Sequence, residues 1–430
     1  MQITADLLKH FRHNFTVNVL DGAFFGFGMG LTSTVAVLPL FLATLTDSTT
    51  LIGLIASIHL IGWQLPQLFM AKRVTRRRRY IPMVLWLTIQ ERWPFLGLAA
   101  VALLTPSLPP LVTVLLVYFF YGWHSVGAGV TAPAWQSMVG KIMPVRWRGT
   151  FYGMQSGAFS LLGALGALIA GWMIANVAYP VNFAIIFALA AVMMTISWVF
   201  LALTREPEHA PLPASTAQDS MWRHIRGILG KDANFRWFLV ARSLMQLTLI
   251  GMNFYTLYAL RIFELGPEII GVLTSVLLIA QTVSNPIVGW IGDRIGHRLM
   301  LVFGAAAFFA GNTLAITTHD ANLLYLVFAL AGIGNTVFFT SMLTLTLNFG
   351  QDHNRAYYIG LGNTLIAPIT LVTPLLGGML VDAFGFGAMF GLTIAAALVT
   401  VVVLLFFLRD QHEDRTPPIS AEPAPALPEA

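Results

Sequence analysis

Long apolar runs separated by short polar breaks dominate the chain. Twelve such runs stand at about 15–42, 51–71, 80–104, 109–136, 150–175, 181–204, 236–260, 268–291, 298–317, 321–348, 356–381 and 386–408. A helix needs roughly 20 apolar residues to cross about 30 Å of hydrocarbon, so the pattern predicts twelve transmembrane helices and an all-α integral membrane protein. The first two runs, the fourth and the tenth are long enough to tilt or kink. A polar stretch, Thr204 to Arg236, divides the runs six and six. It opens with Pro and Ser and continues into an amphipathic piece around Met221–Leu229, which reads as a linker carrying an interfacial helix. The end, TPPISAEPAPALPEA, is rich in Pro, Ala and Glu and is expected to be a disordered tail. The organisation is therefore a six-helix bundle over 1–203, a linker over 204–235, a second bundle over 236–408 and a tail over 409–430.

Composition strengthens this picture. The 430 residues are 57% hydrophobic and 10% charged, whereas soluble domains carry about 25% charged residues. There is no cysteine, which removes disulfides and thiol chemistry. The first run follows a polar start and exceeds the length of a signal peptide's apolar core. The formal charge of +5 does not point to nucleic acid, because the basic residues follow topology. Lys9, Arg12, Lys72, Arg73, Arg76 to Arg79, Lys141, Arg146, Arg148, Arg205, Arg294, Arg298, Arg355 and Arg409 all fall on one set of alternate breaks, and the other set holds Arg261 alone. The positive-inside rule then places both ends in the cytoplasm. The run Arg76–Arg79 reads first as a topology anchor and second as a contact for anionic lipid.

The two groups of six runs are related. Asn14-Phe15 opens the first run and Asn234-Phe235 the seventh; Ile52-Gly53 opens the second and Ile270-Gly271 the eighth. RGTFYG at Arg148 is matched by RAYYIG at Arg355, and AGWMI and GGMLV follow at equal spacing. Between the eighth and ninth runs stands GWIGDRIGHR, Gly289 to Arg298. It fills every specified position of the loop pattern G-x-x-x-D-R-x-G-x-R/K, and with the repeat it resembles the major facilitator superfamily over roughly residues 14–408. That resemblance implies two pseudo-symmetric six-helix halves and secondary transport by alternating access. It further implies a small-molecule substrate, proton coupling, the cell membrane as location, a monomer in the bilayer, and neither cofactor nor metal. It also implies a gate built of Gly289, Asp293, Arg294, Gly296 and Arg298, with Asp293 docking on the start of the fifth helix near Arg148–Gly153. The first half departs from the pattern, since Lys72 or Thr75 stands where its acid belongs.

Ionisable residues within the runs are Asp21, His59, Glu91, Arg92, His124 and Arg242. A charge at mid-membrane costs about 2.5–3.5 kcal/mol on insertion scales and usually meets a partner or water, so Asp21, Glu91, His59 and His124 are the proton-coupling candidates, Asp21 ahead of Glu91 because the superfamily's first helix lines the cavity and its third is peripheral. In the superfamily helices 1, 4, 7 and 10 line the cavity. The resemblance therefore assigns the substrate cavity to Asp21, Tyr121, His124, Arg242, Gln246, Asn253, Asn335 and Phe339, with Tyr255, Tyr258 and Phe338 alongside. Asp21 and Arg242 occupy nearly equivalent repeat positions and are expected either to pair across the cavity or to serve proton and substrate separately. Arg92 is expected to turn toward Asp21, and Glu91 to meet His59 or His124, within a peripheral third helix. Glu91 and Arg92, about 100° apart on a helix, are not expected to be each other's best partners. An aromatic, amide-rich cavity suits a lipophilic or amphipathic solute, exported or imported; proton-coupled efflux stays open, but the fifth helix departs from the superfamily's antiporter pattern G-x-x-x-G-P-x-x-G-G, with Ala167 for the Pro and Ala170 for one Gly. Alternatives on the same fold are a proton-coupled nutrient or sugar permease and a transport-dead sensor. No Walker loop, HExxH or GxSxG is present, and GFGMG at Gly26 lies inside an apolar run, so catalysis is not expected.

Overall fold

The computed structural model describes residues 2–34, 36–207, 221–263, 267–350 and 354–409. Most of the linker and nearly all of the tail fall outside them. The described residues are helical throughout and assemble as twelve spans. Span 1 is Gln2–Leu31 with Val37–Ala43, span 2 Thr49–Gln64 with Gln67–Val74, and span 3 Ile81–Arg92 with Pro94–Leu104. Spans 4, 5 and 6 are Pro110–Ile142, Arg148–Asn176 and Val181–Ala202. Span 7 is Ala233–Thr248 with Ile250–Ile262; spans 8, 9 and 10 are Pro267–Ile295, His297–Thr317 and Leu323–Asn348. Span 11 begins at Arg355–Thr364 and continues into Ala367–Phe406, which also contains span 12. The division falls at Gly385, whose φ of 81° is open to glycine and strained for other residues.

Among the described residues, seven helices are long and apolar enough, by length and composition, to cross a membrane, the last of them holding spans 11 and 12 together. The remaining spans are broken into two helices. Spans 2, 3 and 11 break at Pro66, Pro94 and just before Pro368, because proline lacks the N–H that would bond four residues back and its ring crowds that carbonyl. Span 7 breaks at Leu249 with no proline to cause it.

The duplication seen in sequence is visible in three dimensions. Asn14 Nδ2 donates to the Arg205 carbonyl at 2.8 Å, and the Arg205 N–H donates to Asn14 Oδ1 at 2.8 Å. Asn234 repeats this on Arg409 at 2.9 and 2.8 Å. Each asparagine thus ties the start of its half's first span to the residues leaving its last. The linker helix Met221–Lys231 lies at the same end and buries Ile225 and Ile228. This end, rich in Lys and Arg, is called the basic face below.

At the basic face the halves close on one another. Spans 5 and 8 cross at glycines: a methyl group at Gly289 would run into the Gly149 carbonyl, and one at Gly153 into the Asn285 carbonyl. Spans 2 and 11 meet where Gly360 lies against the Leu68 backbone. Small residues let backbones approach this closely, and in a bilayer that packing is a main source of helix association.

Candidate functional site

A cavity of about 420 Å³ lies inside the bundle, within the 300–1,000 Å³ of typical small-molecule sites. Spans 1, 3, 4 and 5 supply most of the wall, with Trp63 of span 2; Gln281 and Asn285 of span 8 and Asn335 and Phe339 of span 10 face them from the second half. The amides Gln155, Gln281 and Asn285 belong to this wall and are absent from the set expected from sequence. The signal for them was present, since each is an amide in an otherwise apolar run.

Span 3 is not peripheral, contrary to expectation: Thr88, Glu91 and Arg92 all reach the cavity. Arg92 is the hub of a buried network. Its Nη2 donates to Asp21 Oδ1 at 3.1 Å and to Ser197 Oγ at 3.0 Å, and its Nε donates to the Met194 carbonyl at 3.1 Å. Ser197 in turn donates to Asp21 Oδ1 at 2.6 Å. Arg92 Nη1 also lies 3.5 Å from Glu91 Oε2, an ion pair longer than the one to Asp21, so the two neighbours touch without being each other's best partners, as expected. The long guanidinium arm crosses an angle that the Cα positions alone would forbid. Two carboxylates therefore share one guanidinium, with side chains only 7%, 12% and 5% exposed for Asp21, Glu91 and Arg92.

Of the two arrangements expected for Asp21 and Arg242, the pair across the cavity does not form. Asp21 is taken by span 3 and span 6, while Arg242 Nη2 donates to Asn363 Oδ1 of span 11 at 2.5 Å. Asn363 Nδ2 then donates to Gln67 Oε1 of span 2 at 2.5 Å, so the chain Arg242–Asn363–Gln67 bridges the halves toward the basic face. Thr364 Oγ1 adds a bond to the Gln64 carbonyl at 3.1 Å. Equivalent repeat positions here serve different ends: one acid in the cavity wall, one cation in the seal.

Five of the expected cavity residues lie elsewhere. Span 7 contributes no residue to this wall, so Arg242, Gln246 and Asn253 lie outside it; Asn253 is exposed and Gln246 half-buried. Tyr121 and His124 are on the same helical stripe as Ala128, Thr131 and Trp135, which do line the cavity, but they sit farther along it and are covered. His124 packs on Phe95, and its Nδ1–H donates to the Glu91 carbonyl, not the carboxylate, at 2.7 Å. Its Nε2 is buried without a partner among the described residues. Tyr121 and His59 Nδ1 share a hydrogen bond of 3.2 Å. Tyr255 and Tyr258 likewise turn into the second half's core, their hydroxyls donating to Asn312 Oδ1 and the Ala315 carbonyl.

The loop between spans 8 and 9 completes the seal. Asp293 Oδ1 accepts the Gly149 N–H at 2.8 Å; Oδ2 accepts the Thr150 N–H at 2.6 Å and the Thr150 hydroxyl at 2.7 Å. Span 5 begins at Arg148, so these are orphan donors of a helix N-terminus, where a carboxylate is favoured both by hydrogen bonding and by the helix dipole. His297 Nε2 reaches Asp293 Oδ1 at 3.3 Å from behind. Gly296, at φ 94°, makes the turn into span 9. Arg294 stacks on Trp290, 3.5 Å from the ring centroid. Arg298 donates to the Leu404 and Leu405 carbonyls at 2.7 Å each, satisfying acceptors at the end of span 12. Arg148 Nη1 reaches across to the Leu347 carbonyl and Asn348 Oδ1 at 3.3 and 3.2 Å.

Relatives agree with this architecture. The chain is 30% identical over 146 residues to a tetracenomycin C resistance and export protein of Streptomyces glaucescens, covering 34% of this chain and 27% of that one. It is 26% identical over 167 residues to the multidrug resistance protein MdtG of Dickeya zeae, covering 38% and 40%. The matches thus span about a quarter to two fifths of these curated relatives. Among solved structures, a bacterial homologue of the iron transporter ferroportin superposes with a TM-score of 0.72 at 16% identity, over 91% of this chain and 98% of that one. The proton:xylose symporter XylE gives 0.71 at 13% identity, over 94% and 96%. At these identities the likeness is one of fold. The sequence profile of the Major Facilitator Superfamily matches residues 20–266 and 243–429, nearly the whole chain and both halves, and the protein therefore belongs to that superfamily of membrane transporters.

Proposed function

We propose that the protein exports a lipophilic or amphipathic organic solute, preferably a cationic one, in exchange for protons across the cytoplasmic membrane. The observation that carries this reading is the sharing of Arg92 by Asp21 and Glu91 at the wall of a largely apolar cavity. With all three ionised the cluster holds one negative charge too many, and a buried unpaired charge is costly. A proton or a solute cation restores neutrality, and each makes the other unnecessary, which is the condition for exchange. Glu91 is the proton carrier in this scheme. Asp21 Oδ1 is held by Arg92 and Ser197, whereas Glu91 meets Arg92 only at 3.5 Å and faces the cavity.

The basic face is cytoplasmic by the positive-inside rule. The hydrogen bonds joining the halves cluster there, so the conformation described is closed to the cytoplasm, and the Asp293 dock together with the Arg242–Asn363–Gln67 bridge forms the gate. A single chain contains the whole path, in keeping with a monomer. The export and multidrug resistance relatives support this direction and solute class.

The test uses proteoliposomes with an imposed pH gradient and tetraphenylphosphonium as the probe cation. Gradient-driven movement of the probe with counterflow of protons is expected, and it collapses in Glu91→Gln. Equal probe movement in the Glu91→Gln protein would remove the carrier role. Proton-driven uptake of a neutral sugar with no response to the cation would replace export by a permease reading.

A further inference from the structure

The first half's loop between spans 2 and 3 lacks the acid that gates the second half, and carries Lys72, Arg73 and Arg76–Arg79 instead. The first half's arginines surround a space. A groove of about 530 Å³ lies between the ends of spans 2 and 3, with Arg73, Arg77, Arg78 and Arg79 on one side and Met83 and Trp86 on the other. Among the described residues no carboxylate lines it. Glu206, a described acid near this corner, accepts the Tyr80 and Ile81 N–H groups at 2.7 and 2.8 Å and pairs with Lys141 at 2.7 Å.

The two sides of the groove differ in depth. Span 3 begins at Ile81, just after the arginines, and Trp86 lies five residues farther along, about 7.5 Å at 1.5 Å per residue. Trp86 is 68% exposed on the outside of the bundle, where the only solvent for an indole is the interfacial lipid. Guanidinium forks match phosphate oxygens in pairs. A free anion would be served by the arginines alone and would leave the apolar side uncovered. A phospholipid covers both.

We propose that this groove is a binding site for an anionic glycerophospholipid, its phosphate held among Arg73, Arg77, Arg78 and Arg79 and its first acyl carbons lying over Met83 and Trp86. The site is independent of the solute cavity and of the transport direction. Basic pockets at this depth attract anionic headgroups through both charge and geometry.

The full-length protein, delipidated in mild detergent, is incubated with equal amounts of phosphatidylglycerol and phosphatidylcholine, and retained lipid is counted by native mass spectrometry. Phosphatidylglycerol is expected to be retained in preference. Arg77→Gln combined with Arg78→Gln should lower its retention about tenfold, with Arg73, Arg76 and Arg79 still present to fix topology. Trp86→Ala, which leaves every charge in place, should lower it as well. Equal retention of the two lipids, or undiminished phosphatidylglycerol in both variants, would overturn the proposal. So would displacement of the lipid by millimolar inorganic phosphate, which would mark a simple anion site.

Discussion

Glu91 and Asp21 differ by a few hydrogen bonds, and that difference decides what each substitution does. Glu91→Gln leaves the Asp21–Arg92–Ser197 cluster intact and removes the excess charge. It is expected to abolish pH-gradient-driven accumulation, spare downhill exchange and leave the melting temperature within a degree or two, as measured in proteoliposomes and by thermal unfolding in detergent. Asp21→Asn instead weakens a buried charge-assisted network and should cost about 1–3 kcal/mol of stability, seen as a lower melting temperature; unchanged melting would show that Arg92 is adequately held by its other partners. Sequence reasoning reached the Asp21–Arg92 pair because a charge in hydrocarbon must find a partner and few were available. It ranked Glu91 below Asp21 as a partner of Arg92, and the distances follow that order; the additional 3.5 Å approach of Glu91 reflects the reach of a flexible guanidinium, which residue spacing does not give. It misassigned Arg242 because repeat symmetry gives depth along a helix but not which neighbour the side chain meets.

In the proposed gate, spans 5 and 8 act as one element, joined through Asp293. Asp293→Asn retains an acceptor but replaces a carboxylate at a helix N-terminus by a neutral amide, a loss of about 0.3–2 kcal/mol, which converts to a shift of up to roughly thirtyfold between closed and open basic faces. Spin labels at Arg146→Cys and Ile295→Cys, both exposed near this contact, should report a longer distance population in the variant. Gly289→Ala pushes on the same crossing through the Gly149 carbonyl and should shift the population in the same direction. The double variant is expected to be less than additive, because both act on one contact. Unaltered distance distributions in all three proteins would detach this loop from gating. The loop was legible from its sequence because its glycines and acid have stereochemical duties that few other residues perform. The breaks at Pro66 and Pro94 follow from proline; the break at Leu249 carries no such mark, and span 7's absence from the cavity wall could not be foreseen from its polar residues.

The whole molecule tests its own topology because it contains no cysteine. Single cysteines at Asp47, Pro106 and Asp320 are expected to react with an impermeant thiol reagent from outside the cell, while those at Thr75, Ser215 and Ser420 are not; the reverse pattern would invert the orientation and with it the direction of export. The twelve spans and the duplication were legible in the hydrophobic pattern, since each follows from the thickness of a bilayer and from motifs repeated at matched spacing. The state of the proposed gate was not, because alternating access would require the same sequence to adopt both a closed and an open arrangement. That requirement can be checked directly. Gln67 and Asn363 meet across the halves with donor and acceptor 2.5 Å apart. With cysteines at both positions, a short bifunctional thiol reagent should join them readily when the basic face is closed. If alternating access opens this seam once per cycle, the joined protein should bind the probe cation from the outer side yet carry none through, and reagents with a reducible bridge should return full transport on reduction. Undiminished transport by the joined protein would mean that spans 2 and 11 stay together throughout the cycle, leaving the Asp293 contact between spans 5 and 8 as the part of the seal that moves.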